Sequence, residues 1–407
     1  MTSSTTSERR RRITPLVEFL QTEAGGGALL FVATVIALVW ANSGFSETYH
    51  HLWETHVQIG PESWKLDLDL HTWVNDALMA VFFFLIGLEI KRELVVGELR
   101  DPRAALLPAV AAVGGMALPA LIYLALSGGG EATRGWGVPM ATDIAFAVGV
   151  LALLGTRAPV GLKLFLLTLA IVDDLGAILV IALFYSTNVG VLWLLGVAGL
   201  LAVVVFIRRI GAASPLAYVP VGALAWYATY RAGIHPTIAG VALGLLTPAV
   251  PVKGRSVLEE LEHRLHPWSS YVIVPIFALA NAGVDVGNNL GDTLTSRVTL
   301  AVAIGLIVGK TLGITLATFG ALATKATRLP SGVDRAHVLG AGALGGIGFT
   351  VALFIASLAF DDPALETQAK IGILLGSISS GIIGATIIVL SHKRAGARAT
   401  ASASASG

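Results

Sequence analysis

The chain has 407 residues, 55% of them hydrophobic and 13% charged, where an ordinary soluble domain carries roughly 25% charge. That balance excludes a soluble globular protein and indicates a polytopic membrane protein. The lack of cysteine also excludes a disulfide framework and a thiolate metal site. The formal net charge of +1 is uninformative, and neither a cofactor nor a nucleic-acid partner is expected.

About 20 apolar residues suffice to cross a bilayer. Stretches of that kind predict an all-α protein with twelve spans, centred near Val35, Phe82, Val113, Phe146, Asp174, Gly199, Ala223, Leu243, Pro275, Gly309, Phe349 and Gly381. The seventh and eighth are the weakest, because the linker TYRAGIHP between them is short and both are near minimum length; eleven spans is the alternative. An arm of residues 1–20, with Arg9 to Arg12, precedes the first span. An Arg-rich start before an apolar run also describes a secretory signal peptide, yet no small-residue cleavage site follows around WANSGF. The run therefore reads as a span held inside by its arginines.

Residues 56–70 (HVQIGPESWKLDLDL) alternate apolar and polar on both sides of a Gly-Pro-Glu-Ser turn, the pattern of a β-hairpin outside the membrane. An irregular loop is the alternative. An open hairpin edge can pair with a second copy of the chain, so a homodimer through residues 56–70 is expected. Residues 393–407, mostly Ala, Ser and Gly, read as a disordered cytoplasmic tail. That leaves 21–392 as one transmembrane domain.

Lys and Arg concentrate in cytoplasmic loops. With twelve spans and both termini inside, 21 of the 27 fall inside. Only Lys65, Arg134, Arg231, Arg297 and Lys370 fall outside, and Lys310 alone stays in the membrane. Eleven spans would scramble this segregation.

Charge inside the membrane carries the functional information. Asp143 is ninth in a 21-residue run from Gly135 to Gly155, and Asp173 and Asp174 sit near the middle of the 22-residue run Leu164 to Tyr185. Lys310 is thirteenth in a 23-residue run from Val298 to Gly320. A carboxylate at that depth costs on the order of 3 kcal/mol or more unless it is protonated, paired or faces water. Four ionisable groups at one depth on three helices point to one cluster. A static salt bridge is the bland reading, but three carboxylates against one ammonium leave negative charge over.

Adjacent helix positions point about 100° apart, so Asp173 and Asp174 cannot serve the same spot. One pairs with Lys310 while the other faces a cavity, where a proton competes with a hard cation such as Na⁺ or Li⁺ for its oxygens. The sequence PMATDIAFAVG also reads as an interrupted helix: Pro139 breaks the ladder, and Thr142 with Asp143 can cap the restarted half at its positive end. The eleventh span carries Gly340, Gly342, Gly345, Gly346 and Gly348 in its first half, which predicts a second break or, alternatively, close helix packing.

A shift of about 207 residues lays TDIAFAVGVLALLG (142–155) over FTVALFIASLAFDD (349–362) and KLFLLTLAIVDDLG (163–176) over KIGILLGSISSGII (370–383). In that register Asp143 lies over Thr350, and Asp173 and Asp174 lie over Ser380 and Gly381. Repeats at about 104–185 and 298–391 would be offset by seven spans and therefore inserted with opposite orientation, an arrangement found in many secondary transporters.

The motifs WVNDALMAVFFFLIGLEIKREL (73–94), ATDIAFAVGVLALLG, LAIVDDLGAI, LEHRLHPW, FALANAG and GGIGFTVALFIASLAF occur in family order. From about residue 20 to 392 the chain resembles the NhaA family of bacterial sodium/proton antiporters. The resemblance implies inverted repeats with two broken helices crossing at mid-membrane, for which that family is itself a type example. It implies that Asp174 is the principal carboxylate for cation and proton, and that Asp173 is its partner, paired with Lys310. Thr142 and Asp143 would line the crossing, with Asp143 offsetting the positive helix ends and Lys310 the negative ones. Thr311, where relatives often carry proline, departs from the pattern and affects only local helix shape.

The resemblance further places pH regulation at Glu89, Lys91, Arg92 and Glu93 after the second span, at Glu262, His263 and His266 before the ninth, and at His235 on the outer side. Read alone, these are solvated loop charges. Asp76 faces the interior without an assigned role. The function implied is electrogenic, pH-regulated exchange of Na⁺ or Li⁺ for protons in the inner membrane. A cation-coupled solute symporter is the alternative, although it should show a larger pocket with aromatic or Arg contacts. An intramembrane aspartyl protease would need carboxylates opposed on separate helices and a GxGD-type motif, which is lacking.

Overall fold

The computed structural model describes residues 25–405 apart from 62–64, 187–188, 212–217, 252–253, 286–289 and 326, with side chains placed through Arg394. Arg9 to Arg12, Glu62 and Ser63 of the expected turn, Lys253, and the side chain of Arg398 lie outside the described residues.

The helices follow the apolar runs. They are α1 (Gly25–Ala41), α2 (Ser46–Trp53), α3 (Leu70–Val95) and α4 (Pro102–Leu126), then the 3₁₀ segment α5 (Gly130–Met140) and α6 (Ile144–Leu154). After these come α7 (Val160–Phe184), α8 (Val191–Arg209), α9 (Val219–Arg231) and α10 (Thr237–Leu246). Val257–Trp268, Ser269–Ile273 and Val274–Asn281 run on as one helix, α11. The chain ends with α12 (Arg297–Ala323), α13 (Arg335–Leu344), α14 (Phe349–Ala359) and α15 (Pro363–Ala405).

All twelve predicted centres lie in helices. Among the described residues, length and hydropathy alone qualify six helices as spans, or up to nine if each of three bent pairs counts as one. One of those pairs, α1 with α2, turns by 115°, too sharply for one crossing. The shortfall falls where the sequence is weakest, at α9 with 13 residues and α10 with 10, and at α11, whose first half is charged. Helix α8 is exposed almost throughout, Leu192 to 81%, an apolar surface of the kind that meets a membrane or another protein.

Helix starts are set by local chemistry. Asp69 accepts from Thr72 N at 2.7 Å ahead of α3, Asp101 accepts from Arg103 N at 2.9 Å ahead of α4 with Pro102 in the first turn, and Ser296 accepts from Thr299 N at 3.2 Å ahead of α12.

Of the two readings of residues 56–70, the hairpin is the one present. Strand β1 (His56–Ile59) pairs antiparallel with β2 (Leu66–Asp69), His56 opposite Asp69 and Ile59 opposite Leu66. A 2.9 Å contact with the His56 imidazole holds the Asp67 carboxyl below the ordinary carboxylate range. The tail differs from its expectation: α15 continues as helical backbone to Ala405, because alanine is the strongest helix former.

Two broken helices stand in matching places, α5 with α6 bent by 41° and α13 with α14 bent by 45°. Each follows one long helix and precedes another, α4 and α7 in the first half, α12 and α15 in the second. The glycines of the eleventh span serve both readings of that segment, break and close packing. A Cβ on Gly346 would meet Leu306 O and, at 2.5 Å, Ser380 Oγ, and one on Gly348 would stand 3.1 Å from Ala141 O. Gly346→Ala should therefore destabilise the fold by about 1–3 kcal/mol through overpacking, read as a lower midpoint of thermal unfolding in detergent. Gly199→Ala on α8, where a Cβ meets nothing within 4 Å, should be neutral or stabilising by about 0.5–1 kcal/mol.

Candidate functional site

Where the broken helices cross, each supplies what the other leaves unsatisfied. Pro139 cannot donate, Ala141 is extended, and α6 restarts as Asp143 Oδ1 accepts from Phe146 N at 3.1 Å. The backbone N–H of Asp143 donates to Ile347 O at 2.6 Å. Its second oxygen accepts from Thr350 N at 3.0 Å and Thr350 Oγ1 at 2.5 Å. One carboxylate thus caps both half-helices, α6 and α14, at their positive ends. Thr142 does not share the capping; it donates to Gly345 O at 2.8 Å, across the crossing. Ser377 of α15 completes the second break, accepting from Gly348 N and Phe349 N at 3.2 Å each.

Beside this crossing runs α7. Lys310 Nζ donates to Asp173 Oδ2 at 2.6 Å, both side chains wholly buried, and Thr142 stands against the same carboxylate. Lys310 ends a widened π-type stretch, Gly305–Lys310, the kind of distortion that often accompanies functional positions in helices. Asp174 points elsewhere. It is 3% exposed and lines a cleft of about 50 Å³ with Asp143, Thr350, Glu89, His266 and Ser270. Asp174 Oδ1 and Asp173 Oδ1 are buried without a hydrogen-bond partner. Such atoms are rare in folded proteins and invite an explanation by a proton, an ion or water.

The structure separates the residues assigned to pH response. Glu89 and His266 line the same cleft as Asp174. Arg92 ion-pairs with Glu262 and stands 3.5 Å from Glu93, while Glu93 Oε2 accepts from Glu98 N at 3.0 Å. Lys91 is half-buried, and His263 is exposed on another face of α11. His235 Nε2 lies 3.0 Å from Tyr185 O, just past the end of α7 and far from that group. Asp76 accepts through its backbone carbonyl from Trp226 at 2.8 Å and does not line the cleft.

Sequence reasoning missed Thr350 and Ser377. The 207-residue register had already laid Thr350 over Asp143, and the hydrogen bonds between that pair join the repeats. It missed as well the grouping of His71, Asn75 and Asn281, which sit on helices far apart in sequence.

The family described as Na⁺/H⁺ antiporter 1 matches residues 17–388. The chain belongs to that family. Proteins named Na⁺/H⁺ antiporter NhaA from Salmonella arizonae and Escherichia coli are 48% identical over 91% of this chain and 96% of their own length. One from Oleidesulfovibrio alaskensis is 46% identical over 91% of this chain and 93% of its own. In a member of the NhaA family with this geometry, Lys310→Met should cost about 3–5 kcal/mol by stranding the Asp173 charge. The double variant with Asp173→Asn should recover most of it. Both are read as unfolding midpoints in detergent.

Proposed function

We propose that the chain exports Na⁺ or Li⁺ in exchange for protons at Asp174, across a bacterial inner membrane with both termini in the cytoplasm. The supporting observation is the split of the adjacent pair: Asp173 is held by Lys310, while Asp174 keeps an unpartnered oxygen on a small cleft. Antiport of Na⁺ against H⁺ is the activity for which the family is named. A cleft of about 50 Å³ holds roughly three to five waters. At Asp174 it has no room for an organic solute, which disfavours a symporter that holds its solute at this carboxylate.

The cycle follows from the chemistry. On the cytoplasmic side Asp174 gives up its proton and takes the cation; rocking of one helix set against the other turns the site outward, where protons displace the ion. Thr142 and Asp143 hold the crossing that moves. A second proton, carried on the Asp173–Lys310 pair, makes each cycle move net charge, so the membrane potential assists at about 2.3 kcal/mol per charge per 100 mV. Asp173 and Asp174 supply oxygen ligands to the ion. Glu89, Glu93, Glu262, His263, His266 and, from the other side, His235 set the local potential and thereby the pH of activation. Two copies associate through the hairpin of residues 56–70.

In everted vesicles holding a pH gradient, Na⁺ or Li⁺ should collapse the gradient with the native chain and leave it standing with Asp174→Asn. A variant that responds like the native chain would remove Asp174 from the exchange site, and a native chain silent at every alkaline pH would remove the function. Glu262→Gln, which deletes the ion pair with Arg92, should keep transport and move the pH of half-activation by roughly one unit.

A further inference from the structure

The cleft at Asp174 runs between α3 and α11. Along α3 it is lined from Glu89 through Ile86, Leu85 and Phe82, and along α11 from His266 to Val274. Beyond Asp174 the chain closes in two layers, the first between α3, α11 and α14 and the second between α3 and α11. First comes an aromatic layer, Phe83 against Phe354 at 5.2 Å between centroids and Phe277 against Phe354 at 6.3 Å, with Met79 wholly buried above it. One to two turns further out on α3 and one turn on α11 come His71, Asn75 and Asn281. Under the orientation proposed above this is the outer side, and the present inference rests on that reading.

The outer layer is a ring of hydrogen bonds between α3 and α11. Asn281 Nδ2 donates to Asn75 Oδ1 at 2.8 Å and to Phe277 O at 3.0 Å. His71 Nε2 lies 3.1 Å from Asn281 Oδ1, and Asn75 Nδ2 stands at 3.3 Å from His71 Nδ1 and 3.4 Å from Asn281 Oδ1. With His71 Nε2–H donating to Asn281 Oδ1, the Asn75 amide stands 3.3 Å from Nδ1 and 3.4 Å from Nε2, and bare Nδ1 is the ring nitrogen left to accept from it. A proton on Nδ1 would set N–H against N–H and cost the ring that bond.

We propose that His71, Asn75 and Asn281 form the outer latch of the exchange pathway, holding the site closed to the outside until a proton arriving from there protonates His71. The latch joins the two helices whose separation would open the aromatic layer, and its key is the ion that drives the exchange. The charged groups facing His71 are Asp69 at the start of its own helix and Glu366 and Lys370 on α15. Asp69 is engaged by Thr72 N at 2.7 Å, and Glu366 and Lys370 pair with each other at 2.8 Å. Asp76 lies toward Tyr230 instead.

The chain lacks cysteine, so a reporter thiol needs no background substitution. Met79→Cys, behind the latch, and Val274→Cys, on the cleft below the aromatic layer, are labelled in right-side-out vesicles with a membrane-impermeant maleimide. The quantity read is the labelling rate with His71 divided by the rate with His71→Gln, in which the reagent's own pH dependence cancels. It should stand near unity at an outer pH of about 8 and rise toward about fivefold as the outer pH is lowered from about 6 to about 4.5, the factor carried by one neutral hydrogen bond. Asn281→Ala should label about fivefold faster than its parent at the higher pH. A flat ratio in whichever reporter retains transport, or Asn281→Ala labelling no faster than its parent, would overturn the latch. Flat labelling beside intact vesicle transport sinks the latch alone, whereas a native chain without Na⁺ response sinks the reading of the site.

Discussion

A helix interrupted inside a membrane exposes backbone N–H and C=O groups where no water can satisfy them, each at a cost of several kcal/mol. This chain interrupts two, and the fold is organised around their mutual repair. The Asp143 carboxylate caps both restarted half-helices, Thr142 takes up Gly345 O, and Ser377 of α15 caps the second break from outside. Because these partners lie on α6, α14 and α15, the breaks survive only while the two halves of the chain stay crossed. The backbone contact from Asp143 N to Ile347 O ties them directly.

That crossing decides what the neighbouring charges can do. Asp173 and Asp174 follow one another on α7, and the helical turn between them sends one to Lys310 and the other to the cleft. The paired carboxylate is neutralised by contact; the other keeps an unpartnered oxygen on the cleft. Lys310 is held in place by the same packing, since the π-type stretch that ends at this residue passes Gly346 with Leu306 O in close contact. Ion chemistry and backbone repair are therefore one structural problem rather than two.

Much of this was legible in the sequence because charge in an apolar run is conspicuous. Pro139, the glycines of the eleventh span and the depth of Asp143, Asp173 and Lys310 were enough to place breaks and cluster, and the internal register brought Asp143 to Thr350. Other features were hidden for physical reasons. His263 and His266 are both polar residues of the charged first half of α11, three positions apart, so only the packing of that helix tells which of them faces the cleft. Serine is inconspicuous in a transmembrane helix, and Ser377 acquires its acceptor role only where α15 packs against the second break. His71, Asn75 and Asn281 form a ring only after α3 and α11 pack. The tail's composition matched both disorder and helix, and alanine's preference decided for helix.

The size of the cleft has a consequence of its own. A space of about 50 Å³ at Asp174 holds only a few waters, so under the proposed function an entering cation would leave part of its hydration shell behind, and carboxylate and hydroxyl oxygens would have to replace what is lost. The cleft would then select on the cost of dehydration as well as on charge.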